Sequence, residues 1–382
     1  MSARATLAAA LRDAVRALDF AGVVDGALRE ESQGAPRAAR DRARLAAPIA
    51  AAIGASGRAP TPAQVRACPS LDLAVAVFPH DAAPLWADVL FSREHPQGLI
   101  ADIDDRAGAV RGIRFERDLQ DADGRSVAWL PGADWSRLAF APLRGAGPAR
   151  FVAPYPASLL KLMVAVGVGL AVDRGRCAWP ADLVEPMITV SSNDATDALV
   201  ALLHRVGAVA LLHEAFARCG LPTLRLDDTT PAGGWRNAQG AGVGHIHMTA
   251  WDTVRLLWLL DAAAPPAPWL APGTAPLLQP ATRDALRAAL ARQQRNEILS
   301  SQSLAGVPGW IEGIPARARF AHKTGNTENY ASDAGIVEDG GLHYIVALTS
   351  SLGRRHAPHP RCATSWRLPA LGAAVHRIVS EL

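Results

Sequence analysis

The sequence predicts an α+β (α/β) protein in which helices flank a mainly antiparallel sheet. Three observations carry this reading. Apolar residues recur at helical spacing near the N-terminus (Leu7, Leu11, Val15, Leu18, Phe20) and again over long stretches after residue 158. The period shifts toward two at 99–103 and 110–117, and again in three late runs at 319–325, 331–337 and 344–350. Neighbouring runs are joined by short turns, Asp123-Gly124 and the stretch from Glu338 to Gly341, which suit antiparallel strands.

Residues 1–95, rich in alanine and arginine, read as a small helical N-terminal region of unknown role, interrupted by glycine and proline between 54 and 62. The main domain is expected over 96–382. It opens with the strands at 99–103 and 110–117, answered by 126–130 across the Asp123-Gly124 turn, and 131–149 reads as a loop. A helix starts at the Ser158 turn, and another follows Ser191 and breaks at Gly207; a third spans 209–219 and stops at Gly220. Thr249 caps the next helix, with Asp252 three residues on and Leu256, Leu257 and Leu260 on its apolar face. A Pro/Ala-rich connection over 261–276 leads to a helix at 281–296, then the three late strands and a closing helix over 366–382.

At 382 residues, 49% hydrophobic and 20% charged, the chain can bury a full core. The formal net charge of +3 is spread among interspersed acidic and basic residues, so no nucleic-acid footprint is expected. No window approaches the roughly 18 uninterrupted apolar residues of a membrane span. The N-terminal apolar segment is cut by Arg12, Asp13 and Arg16, and reads as an amphipathic helix. A cytoplasmic protein is expected, or a periplasmic one if the start codon is misassigned. Cys68, Cys177, Cys219 and Cys362 form no Cys-x-x-Cys pair and are expected to be free thiols. No cofactor or metal is expected: the run from Gly240 to Gly244 is not followed by Gly-Lys-Ser/Thr, and His245 and His247 have no third ligand at useful spacing.

Lysine usage singles out the chemistry. Of 39 basic residues only Lys161 and Lys323 are lysines. Arginine serves for surface charge but cannot lose its proton, whereas a buried lysine can. Ser158 and Lys161, three apart on one helix face, place an amine within reach of a hydroxyl, and a desolvated amine can take the hydroxyl's proton. Lys323 stands in Lys323-Thr324-Gly325, and Ser191-Ser192-Asn193 lies between the two lysines. Each triplet alone is an ordinary helix cap or turn. The three in this order, with both lysines inside them, are not.

Ser158-x-x-Lys161, Ser191-x-Asn193 and Lys323-Thr324-Gly325 together resemble the signature motifs of the serine β-lactamases and penicillin-binding proteins. The segment 188–199 resembles the class A β-lactamase helix around its Ser-Asp-Asn, with Ser192 in place of the aspartate. The resemblance covers roughly 105–382. It implies a β-lactamase/transpeptidase-like fold: a five-stranded antiparallel sheet flanked by helices, with an all-α subdomain carrying Ser158 and the strands at 99–117 opening the sheet.

By the same resemblance Ser158 is the nucleophile, Lys161 its base, and Ser191 the relay to the leaving group. Asn193 would bind the substrate's amide; catalytic Lys323 would hold Ser191 and the substrate carboxylate, which Thr324 and Gly325 would also meet. Backbone N–H groups of Ser158 and Asn326 would form the oxyanion hole.

Two departures stand out. Ser158 and Ser191 are closer in sequence than in class A enzymes, which implies a more open cleft. Thr230 precedes Pro231 where the family's omega loop has its water-activating glutamate, and the nearby Asp227 and Asp228 read as loop residues. The expected function is a serine acyl hydrolase acting on a small-molecule β-lactam, ester or amide. The alternatives are a D,D-peptidase on cell-wall peptides and a penicillin-binding sensor that stays acylated. Gly-x-Ser-x-Gly and His-Glu-x-x-His are absent, which argues against an α/β-hydrolase and a zinc peptidase.

Overall fold

In the computed structural model, which describes residues 2–18, 70–92, 94–117, 140, 142–235, 246–305, 310–327, 330–352 and 368–382, the chain opens with helix α1 (Ala3–Arg16), capped by the Ser2 hydroxyl. Strands β1 (Leu71–Val77), β2 (Leu85–Phe91) and the two-residue β3 (Leu99–Ile100) follow. The nucleophile turn leads into α2 (Lys161–Asp173), and then come α3 (Ala181–Thr189), α4 (Asn193–Arg205), α5 (Ala208–Arg218), α6 (Ala250–Leu260) and α7 (Pro280–Leu290). Strands β4 (Arg319–Asn326), β5 (Ala331–Asp339) and β6 (Leu342–Ser350) precede the closing helix α8 (Leu368–Ser380).

The main sheet runs β4-β5-β6-β1-β2-β3, every pair antiparallel. Five long strands plus the short edge β3 match the expected fold class. The strand assignment is corrected, however. The first two sheet strands are β1 and β2, inside the stretch expected to be helical; among the described residues that expectation holds for α1 only. The expected strands at 99–117 supply β3, a small ribbon and Ile113–Arg117, which joins Pro142–Arg144 and Ala149–Ala153 in a separate three-stranded sheet. The physical reason is burial. All seven residues of β1 are buried, so both its faces lie in the interior and the alternation that marks a half-exposed strand is missing. The Asp123-Gly124 turn, the strand at 126–130, most of 131–149, the break at 54–62 and Gly240 to His245 lie outside the described residues, as do Cys68 and Cys362. Cys177 and Cys219 are free thiols.

Two apolar layers enclose the sheet. On one face Leu7, Leu11 and Val15 of α1 pack with Leu73, Val75 and Val346 and with Val375 and Val379 of α8. On the other, Ala74 and Ala76 meet α6 and the all-helical part built around α2. Helix α2 is buried from Lys161 to Ala171 and apolar around its whole circumference, as a central core helix must be. Gly207 starts α5 at φ 64°, the left-handed region where the sequence breaks the preceding helix. No single helix among the described residues is long and apolar enough to cross a membrane.

Beneath α6 the sheet buries two carboxyls, Asp72 on β1 and Asp88 on β2, both fully enclosed. Asp72 Oδ2 accepts from Ala250 N at the start of α6 (2.8 Å), which anchors that helix end. Burial pushes Asp72 up to about 6; it raises Asp88 well above the usual carboxylate range, with the Asp72 charge adding to it. The pair therefore holds a proton that the unfolded chain releases at lower pH. Its contribution to stability is full below about pH 4 and is lost as pH rises through about 6 and beyond. Asp88→Asn, whose amide donates to Asp72 without titrating, is expected to raise the melting temperature at pH 8 by ~2–4 °C per kcal/mol recovered, with the gain vanishing near pH 4.5. A variant that melts lower than the parent at pH 8 would contradict this.

Candidate active site

A short helical turn, Ala157–Leu160, carries Ser158 at the N-terminus of the buried α2 and packs on β4 and β5. Ala157 is held at φ 51° and Ser191 at φ 61°, conformations that cost a residue with a side chain about 1–3 kcal/mol and persist only where the surroundings impose them. Ser191 projects from the turn before α4, whose N-cap Ser192 accepts from Ala195 N at 3.2 Å. Lys161 is the first residue of α2, and Lys323 and Thr324 lie within β4. Three sequence-distant pieces are thus brought to one place by the central helix and the sheet edge.

The two amines meet at one hydroxyl. Lys161 Nζ donates to Ser191 O (2.7 Å), Ser191 Oγ (3.1 Å) and Asn193 Oδ1 (2.8 Å). Lys323 Nζ donates to the same Ser191 Oγ (3.1 Å) and to Thr324 O (2.7 Å). Both lysines are completely shielded from solvent. Burial lowers Lys161 to about 8, with Asp197 opposing the shift; the positive end of α2 acts in the same direction as burial. Lys323 is lowered well below the ordinary lysine range, first by burial and then by Lys161, against Asp333 and Glu297. Two amines sharing one acceptor in a dry site cannot both keep a charge cheaply.

Above them opens a cavity of about 280 Å³. Ser158, Ser191, Asn193, Thr324 and Asn326 line it, and Val190, Arg295 and Glu297 complete its wall. Seven of the eight predicted site residues are thus placed in or directly beneath one cleft. The eighth, Gly325, packs on the nucleophile turn: a Cβ built there would sit 2.4 Å from Pro156 O and 2.8 Å from Ser158 N. The glycine lets β4 press against the turn. One expected contact differs. Lys161 Nζ faces Ser191 and Asn193, and Ser158 Oγ has no hydrogen-bond partner among the described residues; such contacts commonly tighten only when substrate binds.

Sequence reasoning missed the Arg295–Glu297 wall. Gln293 ties it down: its Nε2 donates to Ile188 O (3.0 Å), and its Oε1 accepts from Arg295 N (2.9 Å). Asn296 Oδ1 meets His322 Nε2 (2.9 Å), while His322 Nδ1 meets Asp333 Oδ1 (2.7 Å) on β5. The only advance signal was His322 beside Lys323. A larger cavity, about 490 Å³ between α7 and the outer edge of β4, holds none of the motif residues. Among the described residues no group of three or more His, Cys, Asp or Glu is placed to hold a metal.

The edge strand of the antiparallel sheet thus presents Lys323-Thr324-Gly325 to the buried helix that begins at Lys161. The resemblance read from the motifs is borne out: residues 180–361 match the model of the beta-lactamase enzyme family, a stretch that contains Ser191, Asn193 and Lys323. The Ser158 turn lies just upstream of it. No curated protein matches the sequence. Among solved structures, the chain is similar to the penicillin-binding protein PBP-A (19% identity, 88% of this chain and 96% of that chain, TM-score 0.45). It is also similar to a class A beta-lactamase from Bacteroides cellulosilyticus (15%, 89% and 97%, TM-score 0.45) and a beta-lactamase from Sphaerobacter thermophilus (15%, 88% and 94%, TM-score 0.43).

Proposed function

We propose that the protein is a serine acyl hydrolase that forms a covalent acyl-enzyme through Ser158, acting on a small β-lactam, ester or amide. The observation that carries this reading is the Ser191 hydroxyl bridged by the amines of Lys161 and Lys323 on the floor of a cleft lined by Ser158. Ser158 Oγ attacks the acyl carbonyl carbon as its proton passes to neutral Lys161, and the oxyanion rests on the Ser158 and Asn326 backbone N–H groups. Ser191 Oγ accepts from both amines, which leaves its own O–H free to hand a proton to the leaving group at the cavity surface. Asn193 and Thr324 supply polar contacts to the rest of the substrate.

The proton affinity of Lys161 sets the pH dependence. With its value at about 8, about a tenth of the amine is neutral at pH 7. The acylation rate is expected to rise close to tenfold per pH unit below 8 and to level off above it. Burst kinetics between pH 6 and 9.5 check this; a rate that falls as pH rises would exclude Lys161 as the base.

The reading as a whole is tested by incubating the protein with a chromogenic cephalosporin and, separately, a p-nitrophenyl ester, following product release and intact mass. Continued turnover with a transient adduct supports the hydrolase. A single-equivalent burst with a lasting adduct favours the sensor, the alternative to which Thr230 in the omega loop points. Product release without any adduct, or no reaction with either compound, would sink the acyl-enzyme reading.

A further inference from the structure

Releasing the acyl group from Ser158 requires water to lose a proton as it attacks, so a base must face the same cavity. Among the described residues the omega-loop side contributes no carboxylate to the cavity lining. Thr230 Oγ1 donates to Gly233 O, and Asp227 is gripped by Arg225 through two hydrogen bonds of 3.0 Å each. Asp197 acts on Lys161 but does not line the cavity. Lys161 Nζ lies beneath the cavity, donating to Ser191 and Asn193. Glu297 is different. It is the one carboxylate in the cavity lining, it is half-buried, and it makes no hydrogen bond or ion pair among the described residues. Its backbone is held firmly on both sides, by Asn296 N donating to Ser303 Oγ (3.0 Å) and Leu299 N donating to Asp333 Oδ2 (3.0 Å).

We infer that Glu297 is the general base that activates the hydrolytic water on the Ser158 acyl-enzyme, an assignment that rests on the acyl-enzyme reading above. The water oxygen bonds to the acyl carbonyl carbon while its proton passes to the Glu297 carboxylate, and the carbonyl electron pair moves onto oxygen. The tetrahedral intermediate then collapses, the bond from carbon to Ser158 Oγ breaks, and the proton returns to Oγ. A carboxylic acid leaves, and both side chains are restored.

The test compares the parent with Glu297→Gln and Glu297→Asp, using p-nitrophenyl butyrate and time-resolved intact mass. Glutamine is expected to keep the burst amplitude and to slow steady turnover by about 10²- to 10⁴-fold, with a one-butyryl adduct on Ser158 that persists. Aspartate, a shorter base at the same place, is expected to restore part of the turnover, and melting curves of both variants check that the wall stays folded. An adduct that clears from Glu297→Gln at the parental rate overturns this assignment alone. Absence of any adduct on the parent overturns the acyl-enzyme reading and this one with it.

Discussion

Replacing Ser158 by alanine is expected to abolish the acyl adduct and to cut turnover about 10⁴- to 10⁶-fold, with the melting temperature nearly unchanged. The size follows from the site's division of labour. Ser191 Oγ already accepts from both lysines, whereas Ser158 Oγ makes no hydrogen bond among the described residues. Without Oγ no covalent path remains, and the cleft can offer water only its backbone N–H groups and Glu297. Removing one oxygen from a turn already fixed by packing should not disturb the fold, because Ala157, Leu159 and Leu160 supply the buried contacts. Intact mass and burst kinetics on the same preparation decide the matter. Parental turnover by the alanine variant would end the nucleophile assignment.

Gly325→Ala is expected to be nearly as damaging, by a different route. The added Cβ would meet Pro156 O at 2.4 Å, Leu159 N at 2.6 Å and Ser158 N at 2.8 Å, all backbone atoms that cannot rotate aside. Strand and turn must separate, which costs about 1–3 kcal/mol as overpacking. The separation also falls between the two proposed oxyanion donors, Ser158 N and Asn326 N, and a misplacement of about 1 Å at such a site costs on the order of 10²-fold in rate. Thermal melting and acylation rates measured together check both halves. An alanine variant that acylates like the parent would show that the strand does not position the nucleophile turn.

The site was more legible in the sequence than the sheet that holds it. Ser158, Lys161, Ser191, Asn193, Lys323 and Thr324 could be read in advance because their chemistry restricts residue type and short spacing, and because lysine is so scarce elsewhere. β5 and β6 could be read because a tight turn joins them and β-branched residues mark them. β1 and β2 could not: a strand buried on both faces carries no alternation, and Leu71–Val77 resembles a fragment of apolar helix. The helical N-terminal reading failed there for that reason alone. The Arg295–Glu297 wall was hidden for another. Its place is fixed by Gln293, His322 and Asp333, contacts between distant parts of the chain that leave no local pattern. Gly325 also spaces the backbone, a need the sequence could not show, because a missing side chain leaves no trace of which neighbour required its absence.

The distribution of primary amines has a practical consequence. Outside the cleft there is no lysine, only arginine among the permanently charged bases, and Lys161 and Lys323 are sealed from solvent. Acylating labels, aldehyde fixatives and amine-directed cross-linkers therefore find no lysine on the exterior, and beyond the α-amino group their only targets are the two groups at the heart of the molecule. Reductive ¹³C-methylation under conditions that let the reagent enter would place isotopic reporters on those two nitrogens, and their resonances could be titrated in an otherwise silent spectrum.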